Sequence, residues 1–305
     1  MGGWAEPVTP LGIEPCQYVT VLGVTFGPTI EETIRESWTK VTNAVRAQAR
    51  TAYARNLFLA HRVQYAKTYV LAKIWYLAQV LPPPTRHIQK LKSTCKWFIW
   101  KGAIFRVPIT ALQRPEELGG WALPDIALKC RALLLGRMRT LAARKDSATA
   151  AILRKWNITE TEENPPHISK IPSKLVHVLQ YALDMAYVAP QRTNETMNKQ
   201  RSRIYGTLRD VQSNTEKSDV MRVVRKYRDV NWKYLWTNLH TAWISDVQRS
   251  TWYIVIHGLI PTNDRLAAIK LTETNRRSTC DAIDTTQHRL TQCGESKLIW
   301  NSRNY

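Results

Sequence analysis

A long stretch of this chain carries positive charge and no negative charge. From Ser37 to Pro115 there is no aspartate and no glutamate, whereas fourteen lysines and arginines lie in the same stretch. A solvated helix surface normally mixes the two signs, because Glu and Lys one turn apart attract each other and like charges repel. A fold built from this stretch must therefore spread its cations or neutralise them with a partner, and we expect that partner to be a polyanion.

The same stretch has the periodicity of amphipathic helices. Apolar residues recur at spacings of three and four from Ile34 to Ala49, and Thr29 is placed to cap this first helix. A second helix is predicted over 55–81, with an apolar face that runs along its length. Pro82-Pro83-Pro84 ends it, because each proline lacks an amide donor and clashes with the preceding turn.

A third helix is predicted from Thr85. Its apolar face consists of Ile88, Leu91, Cys95, Phe98 and Ile99. Trp97 and Trp100 lie at helical spacing beside that face, so they fit either the core or a role in stacking on bases. Further helices are predicted over 125–144, 218–228 and 232–257. Asn263 is the predicted cap of a last one that extends to Leu271.

These patterns predict a mainly α fold with one short strand or hairpin near the N-terminus, at Tyr18–Val24. Residues 1–28 form this first region, and residues 29–158 form a basic helical domain. Residues 159–200 are rich in linker signals, including Pro165-Pro166, and residues 201–305 form a second helical region.

Composition narrows the class of protein. The chain has 305 residues, 44% of them hydrophobic, which is enough for a packed core, and its net charge is +20. Five scattered cysteines indicate reduced thiols, and neither a signal peptide nor an apolar run long enough for a membrane span is evident. We therefore expect an intracellular protein of the nucleus or cytoplasm, with RNA, DNA or an RNA:DNA hybrid as its partner and no membrane.

Several motifs, in order along the chain, carry a family resemblance. They are Val21-Leu22-Gly23-Val24, Trp75-Tyr76, Trp97-Phe98-Ile99-Trp100-Lys101-Gly102, Glu117-Leu118-Gly119-Gly120-Trp121-Ala122-Leu123-Pro124-Asp125, Leu259-Ile260-Pro261-Thr262-Asn263-Asp264-Arg265-Leu266 and Ile299-Trp300. The ordered set resembles the C-terminal third of the reverse transcriptase of LINE-type (non-LTR) retrotransposons, after the polymerase palm. The resemblance implies a palm-edge strand, then a thumb-like helical bundle that grips the template-primer duplex, then a Cys/His knuckle region.

The resemblance also implies where nucleic acid binds. Cations on the thumb-like helices would contact phosphates and position the duplex without reading its sequence. The residues assigned to this role are Arg46, Arg50, Arg55, Arg62, Lys67, Lys73, Lys92, Lys96 and Lys101.

The catalytic parts of that family have no counterpart in this sequence. Two-metal nucleotidyl transfer needs adjacent carboxylates, which the family supplies as an Asp-Asp pair in its palm, and this chain has no Asp-Asp dipeptide. The sequence also lacks the family's endonuclease. We therefore expect no catalytic residues here and a chain that does not polymerise nucleotides by itself.

The C-terminal cysteines and histidine resemble the family's CCHC knuckle with one ligand missing. Cys280, His288 and Cys293 have its spacing, but the fourth position, three residues before Cys280, is Arg277. Structural zinc sites have four protein ligands. Two possibilities follow: weak zinc binding with water or Asp281 as the fourth ligand, or a decayed site that binds no cofactor. In the second case the helix would pack through its apolar residues Leu290, Leu298 and Ile299.

Two other functions are compatible with the sequence. The chain could contribute to an active reverse transcriptase when joined to fingers and palm, or its basic helices could bind an acidic protein or lipid. Binding to nucleic acid is distinguished by a steep loss of affinity between about 50 and 200 mM salt.

Overall fold

The structure, a computed structural model, describes residues 16–103, 107–144, 148–155, 196–215 and 229–302. Helices dominate these ranges and one short antiparallel hairpin precedes them, which confirms the predicted mainly α fold. The chain divides into two compact units. The first contains residues 1–54, 66–95 and 124–217, and the second contains residues 55–65, 96–123 and 218–305. The two units interleave along the chain.

The first unit begins with the hairpin, whose strands are β1 (Val19–Val21) and β2 (Val24–Phe26). Leu22 and Gly23 connect them with φ angles of 47° and 80°. Two consecutive positive φ values define the tight turn that matches the right-handed twist of paired strands, and glycine adopts such a value without strain. The predicted strand is thereby a two-stranded hairpin.

Helix α1 (Ile30–Tyr53) follows, and its start agrees with the sequence. The Thr29 hydroxyl accepts a hydrogen bond from the Glu32 amide at 3.2 Å, which satisfies one free donor of the first turn. Trp38 and Val45 are fully buried on one face. The hairpin packs against the same helix, because the Thr25 amide donates to the Ser37 Oγ at 2.9 Å.

The second predicted helix is not continuous. Residues 55–81 form α2 (Leu59–Tyr65), a π-helical turn (Ala66–Val70) and α3 (Ala72–Leu77). The Leu71 amide donates to the Ala66 carbonyl at 2.9 Å, across five residues instead of four. The apolar face is nevertheless buried as predicted, at Val63, Ala66, Val70, Ile74, Leu77 and Leu81.

Helix α4 (Thr85–Trp100) confirms the third prediction, since the five residues assigned to its core face are buried. A short helix, α5 (Ile109–Gln113), follows it in the second unit.

Back in the first unit, α6 (Ile126–Ala142) begins where predicted. The Asp125 Oδ1 accepts from the Leu128 amide at 3.1 Å and caps the helix.

Two more helices belong to the first unit, α7 (Ala148–Lys155) and α8 (Met197–Thr215). Helix α8 packs along α6, and the Tyr205 hydroxyl accepts from the Asp125 amide at 2.9 Å. The predicted linker, 159–200, is therefore helical over 197–200. This helix packs through Gln200 and Ile204, which are buried, while the polar residues before Gln200 face solvent. The rest of that linker, 159–195, and the helix predicted over 218–228 lie outside the described residues.

In the second unit, the predicted helix 232–257 is two helices, α9 (Trp232–Thr241) and α10 (Asp246–Ile256). Ser245 separates them, because its side chain and that of Gln248 form a capping box that starts a new helix. Helix α11 (Asn263–Ala268) starts one residue earlier than predicted, with Thr262 in the capping position and Asn263 as its first residue.

An aromatic cluster forms the core of this unit. The Trp236 ring stacks on His257 at 5.3 Å between centroids, and Tyr253 lies 4.5 Å from His257. Trp121 meets Tyr253 edge-on at 5.4 Å. Burial, and secondarily the charge of Arg114, lower the pKa of His257 to about 4.

The Gly119-Gly120 turn fits closely against this cluster. Gly119 has a φ of 77°, and a Cβ added there would lie 2.6 Å from an atom of the Trp236 ring. The Tyr253 hydroxyl donates to the Gly119 carbonyl at 3.1 Å. The Glu-Leu-Gly-Gly-Trp motif of the sequence is therefore a packing element in this structure.

The second unit ends with a short loop and a helix. A bridge pairs Arg276 with Ile283, a π-helical turn spans His288–Gln292, and α12 covers Gly294–Asn301. Over the residues that the structure describes, no helix is long and apolar enough to cross a lipid bilayer.

Candidate functional site

The cations predicted to bind nucleic acid are divided between the two units. In the first unit, Arg46 and Arg50 are exposed and lie one turn apart on α1. Like charges at this spacing repel by a few tenths of a kcal/mol, about 0.2–0.5 kcal/mol per pair in isolated helices. An anion bound at this face would remove that cost.

The remaining cations of the first unit have more varied surroundings. Lys73 is exposed on α3 and Lys67 is half-buried in the π-helical turn. The Lys92 Nζ lies 3.4 Å from the buried Asp125 Oδ2, so a carboxylate already balances this charge. Lys92 is consequently the weakest member of the predicted set.

In the second unit, Arg55 and Lys101 are brought together although 46 residues separate them in the sequence. The Lys101 Nζ donates to the Arg55 carbonyl at 3.1 Å, and the Arg55 guanidinium lies 5.9 Å from the Tyr65 ring centroid. Lys96 is exposed on α4, whereas Arg62 is half-buried on α2. Changing the charge of Arg62 would therefore disturb packing as well as the surface.

The two tryptophans considered for stacking have different environments. Trp100 is buried with 3% of its surface exposed, which assigns it to the core. Trp97 is 41% exposed, so its ring is accessible to a partner.

Sequence reasoning missed Lys129, whose Nζ lies 4.4 Å from the Trp75 ring centroid. It lies outside the acid-free stretch, and Trp75 is distant from it in the sequence. Only tertiary packing brings the two side chains together, so no sequence signal identifies Lys129.

The three knuckle residues are brought together as predicted. The Cys280 Sγ lies 3.1 Å from the His288 Nε2 and 3.9 Å from the Cys293 Sγ. All three potential ligand atoms lie within 4.8 Å of one another, so this Cys-His-Cys group could hold a metal ion. The group combines the two thiols and the imidazole that soft and borderline metals prefer.

Local structure prepares Cys293 to act as a ligand. Burial alone would raise the pKa of its thiol, but hydrogen bonds with the Glu295 amide, the Cys280 side chain and the Ser296 amide lower it, as does the charge of Arg277. The net effect is a pKa below the ordinary value, which favours the thiolate that binds metals. The start of α12 supplies these amides, because Cys293 precedes its first residue.

The fourth position of the knuckle is occupied by a cation. The Arg277 Nη2 lies 2.9 Å from the Glu295 Oε2, which orients the guanidinium toward α12. Asp281, considered as an alternative ligand, is instead held by Arg276, whose Nη1 lies 3.2 Å from its Oδ2. Among the described residues, three potential ligand atoms are thus gathered at this place.

Packing of α12 differs from the expectation for a decayed site. Leu298 and Ile299 are 72% and 60% exposed, so they do not anchor the helix to a core. The Trp300 Nε1 donates to the Leu290 carbonyl at 2.6 Å, and the Ser296 Oγ donates to the Arg289 carbonyl at 2.6 Å. Hydrogen bonds to the π-helical turn therefore position α12 where apolar packing was expected.

A scan against protein-family models and a search of curated proteins find no match to this chain. The likeness to LINE-type reverse transcriptases stays a prediction that rests on the ordered sequence motifs.

Proposed function

We propose that this chain is a non-catalytic nucleic-acid-binding region of a retrotransposon-type reverse transcriptase, which grips the phosphates of a template-primer duplex without reading its sequence. The observation that carries the proposal is the acid-free stretch from Ser37 to Pro115, with its fourteen cations. None of the described cations in this stretch is fully buried.

Basic protein surfaces that lack acidic residues are suited to binding phosphate groups. Each cation that neutralises a phosphate releases a condensed counterion, which contributes affinity that depends on salt and not on base sequence. Arg46 and Arg50 present two guanidinium groups along one side of α1. A guanidinium donates two parallel hydrogen bonds to phosphate oxygens, which positions the duplex as well as binding it.

The proposal is tested by charge reversal on α1. Arg46→Glu and Arg50→Glu should each weaken binding to an RNA:DNA hybrid by about tenfold or more near 0.1 M salt, measured by fluorescence anisotropy. Arg35→Glu is the matched control on the same helix, because the Arg35 Nε already lies 3.0 Å from the Glu36 Oε1. Equal affinities for the wild type and all three variants would refute the assignment of α1 as a binding face.

We further propose that the Cys-His-Cys group binds zinc weakly, with water as its fourth ligand. Two thiols and one imidazole suit this metal, while a site with three protein ligands lacks the closed shell of a structural zinc centre. Zinc titration against a chromophoric chelator tests this directly, with His288→Ala as the comparison. Identical zinc binding by the wild type and this variant would assign the metal to another site.

A further inference from the structure

Two basic residues outside the acid-free stretch contact the same helix end in the first unit. The Lys129 Nζ, from α6, lies 4.4 Å from the Trp75 ring centroid on α3. The Arg201 Nη2, from α8, donates to the Gln79 Oε1 at 2.7 Å, and Gln79 follows the last turn of α3. The Gln79 Nε2 in turn donates to the Trp75 carbonyl at 3.1 Å, so both cations are tied to the same helix end.

The packing of α6 against α8 holds Arg201 in this position. Its stem crosses α6 at Gly136, where an added Cβ would lie 2.8 Å from the Arg201 Cγ. Arg137, the next residue of α6, is half-buried like Arg201. The charge of Arg137 acts on Arg201, which makes it the third cation of this region. A larger side chain at position 136 would displace Arg201.

The positive charges of Lys129, Arg137 and Arg201 are partly removed from solvent, which is unfavourable unless an anion is bound. Burial, followed by the charge of Arg137, lowers the pKa of Arg201. Burial also lowers the pKa of Lys129. Cys130 opposes this shift, and the charge of Lys67 adds to it. Within the described ranges, no carboxylate forms an ion pair with Lys129, Arg137 or Arg201. Half-buried cations ordinarily have a countercharge, and the described part of the chain supplies none to these three.

We propose that Lys129, Arg137 and Arg201, which we call the α3/α6/α8 cation cluster, bind backbone phosphates of a nucleic acid. This inference rests on the proposed function and adds to it a binding site whose cations come from two separate segments of the chain, α6 and α8, with Trp75 of α3 beside them. The guanidinium groups supply paired donors to phosphate oxygens, and the Trp75 ring supports the Lys129 ammonium through a cation–π contact.

The position of Lys67 links the cluster to the residues already assigned to phosphate binding. Lys67 belongs to the acid-free stretch, and its charge acts on Lys129 in the same unit. Lys67 on the π-helical turn and Lys129 on α6 are therefore close enough for their charges to interact. A nucleic-acid backbone carries regularly spaced negative charges, so a single strand could contact both residues.

The test compares salt dependence among variants of the full chain, with an RNA:DNA hybrid as the probe. Arg137→Gln and Arg201→Gln should each lower affinity by about tenfold near 0.1 M salt and reduce the slope of log affinity against log salt by about one. Arg201→Lys keeps the charge and should retain most of the slope. Lys199→Gln is the matched control, because it removes the same charge from an exposed position on α8.

The outcomes separate this inference from the proposed function. Unchanged slopes for Arg137→Gln and Arg201→Gln, with loss in Arg46→Glu and Arg50→Glu, would overturn the cluster alone. An equal reduction in Lys199→Gln would also overturn it, since the effect would then reflect net charge. A wild-type chain that does not bind the hybrid would overturn both. Circular dichroism of each variant establishes that its fold is intact, and Arg137→Gln, which breaks no hydrogen bond seen in the structure, keeps the test decisive.

Discussion

Single residues decide what the Cys/His group can do. Cys280, His288 and Cys293 are gathered around one point, while Arg277 brings a positive charge to the place where a fourth ligand is expected. A guanidinium beside a metal site repels the cation and supplies no lone pair. The identity of residue 277 therefore sets the affinity for zinc.

Replacing Arg277 with cysteine should restore a four-ligand site. We expect Arg277→Cys to raise zinc affinity by at least one order of magnitude, because the closed tetrahedral shell replaces a cation and a water ligand. Competition with a chromophoric chelator measures the gain. Arg276→Cys is the control, since the neighbouring side chain contacts Asp281 instead of the thiols. A gain in the control equal to that in Arg277→Cys would contradict the predicted register.

At the scale of elements, short connections hold the described helices in place. The Gly119-Gly120 turn illustrates this, because its backbone lies directly against the Trp236 ring. Its contribution to stability has two parts: the left-handed backbone conformation of Gly119, and the lack of room for a side chain beside the Trp236 ring. Gly102 has the same φ of 77° but nothing within 4 Å of an added Cβ.

This pair of glycines gives a matched prediction for stability. Gly102→Ala should lower the free energy of unfolding by about 1 kcal/mol, the cost of a left-handed backbone for an ordinary residue. Gly119→Ala should lower it by about 1–3 kcal/mol more, because the added methyl group overpacks against Trp236. Urea titrations of both variants measure the difference. Equal losses would show that the ring yields without cost.

Local signals explain which elements the sequence predicts. Thr29 and Asp125 cap helices with side chains that are visible in the sequence, so α1 and α6 begin where expected. The break in 55–81 is not visible, because Ala66, Val70 and Ile74 continue the apolar spacing at intervals of four. A spacing slightly longer than 3.6 is compatible with the wider π-helical turn that the structure contains.

For the whole molecule, the sequence predicts sites built from neighbouring residues, whereas sites built from distant segments depend on tertiary packing. The Cys/His group was predictable, since its ligands lie within fourteen consecutive residues, from Cys280 to Cys293. The α3/α6/α8 cation cluster draws on separate segments that only tertiary packing brings together. Its residues carry no periodicity or motif in common, so no reading of neighbouring positions identifies them.

The buried aromatic cluster makes stability depend on pH. His257 has a pKa of about 4 in the folded chain, below its ordinary value of 6.5, so unfolding takes up a proton between these values. Stability is therefore fully present above about pH 6.5 and decreases as the pH falls toward 4, by up to about 3 kcal/mol. Urea titrations across this range should show a shallower dependence in His257→Gln. The same dependence in both proteins would exclude His257 as its source.

The central claim is that the acid-free cations bind phosphates, and salt dependence tests it most directly. The affinity of the full chain for two RNA:DNA hybrids of unrelated sequence should be measured from about 50 to 200 mM salt. We predict similar affinities for both hybrids and a steep linear fall of log affinity with log salt, equivalent to several phosphate contacts. A flat salt profile, or strong preference for one sequence, would contradict the claim.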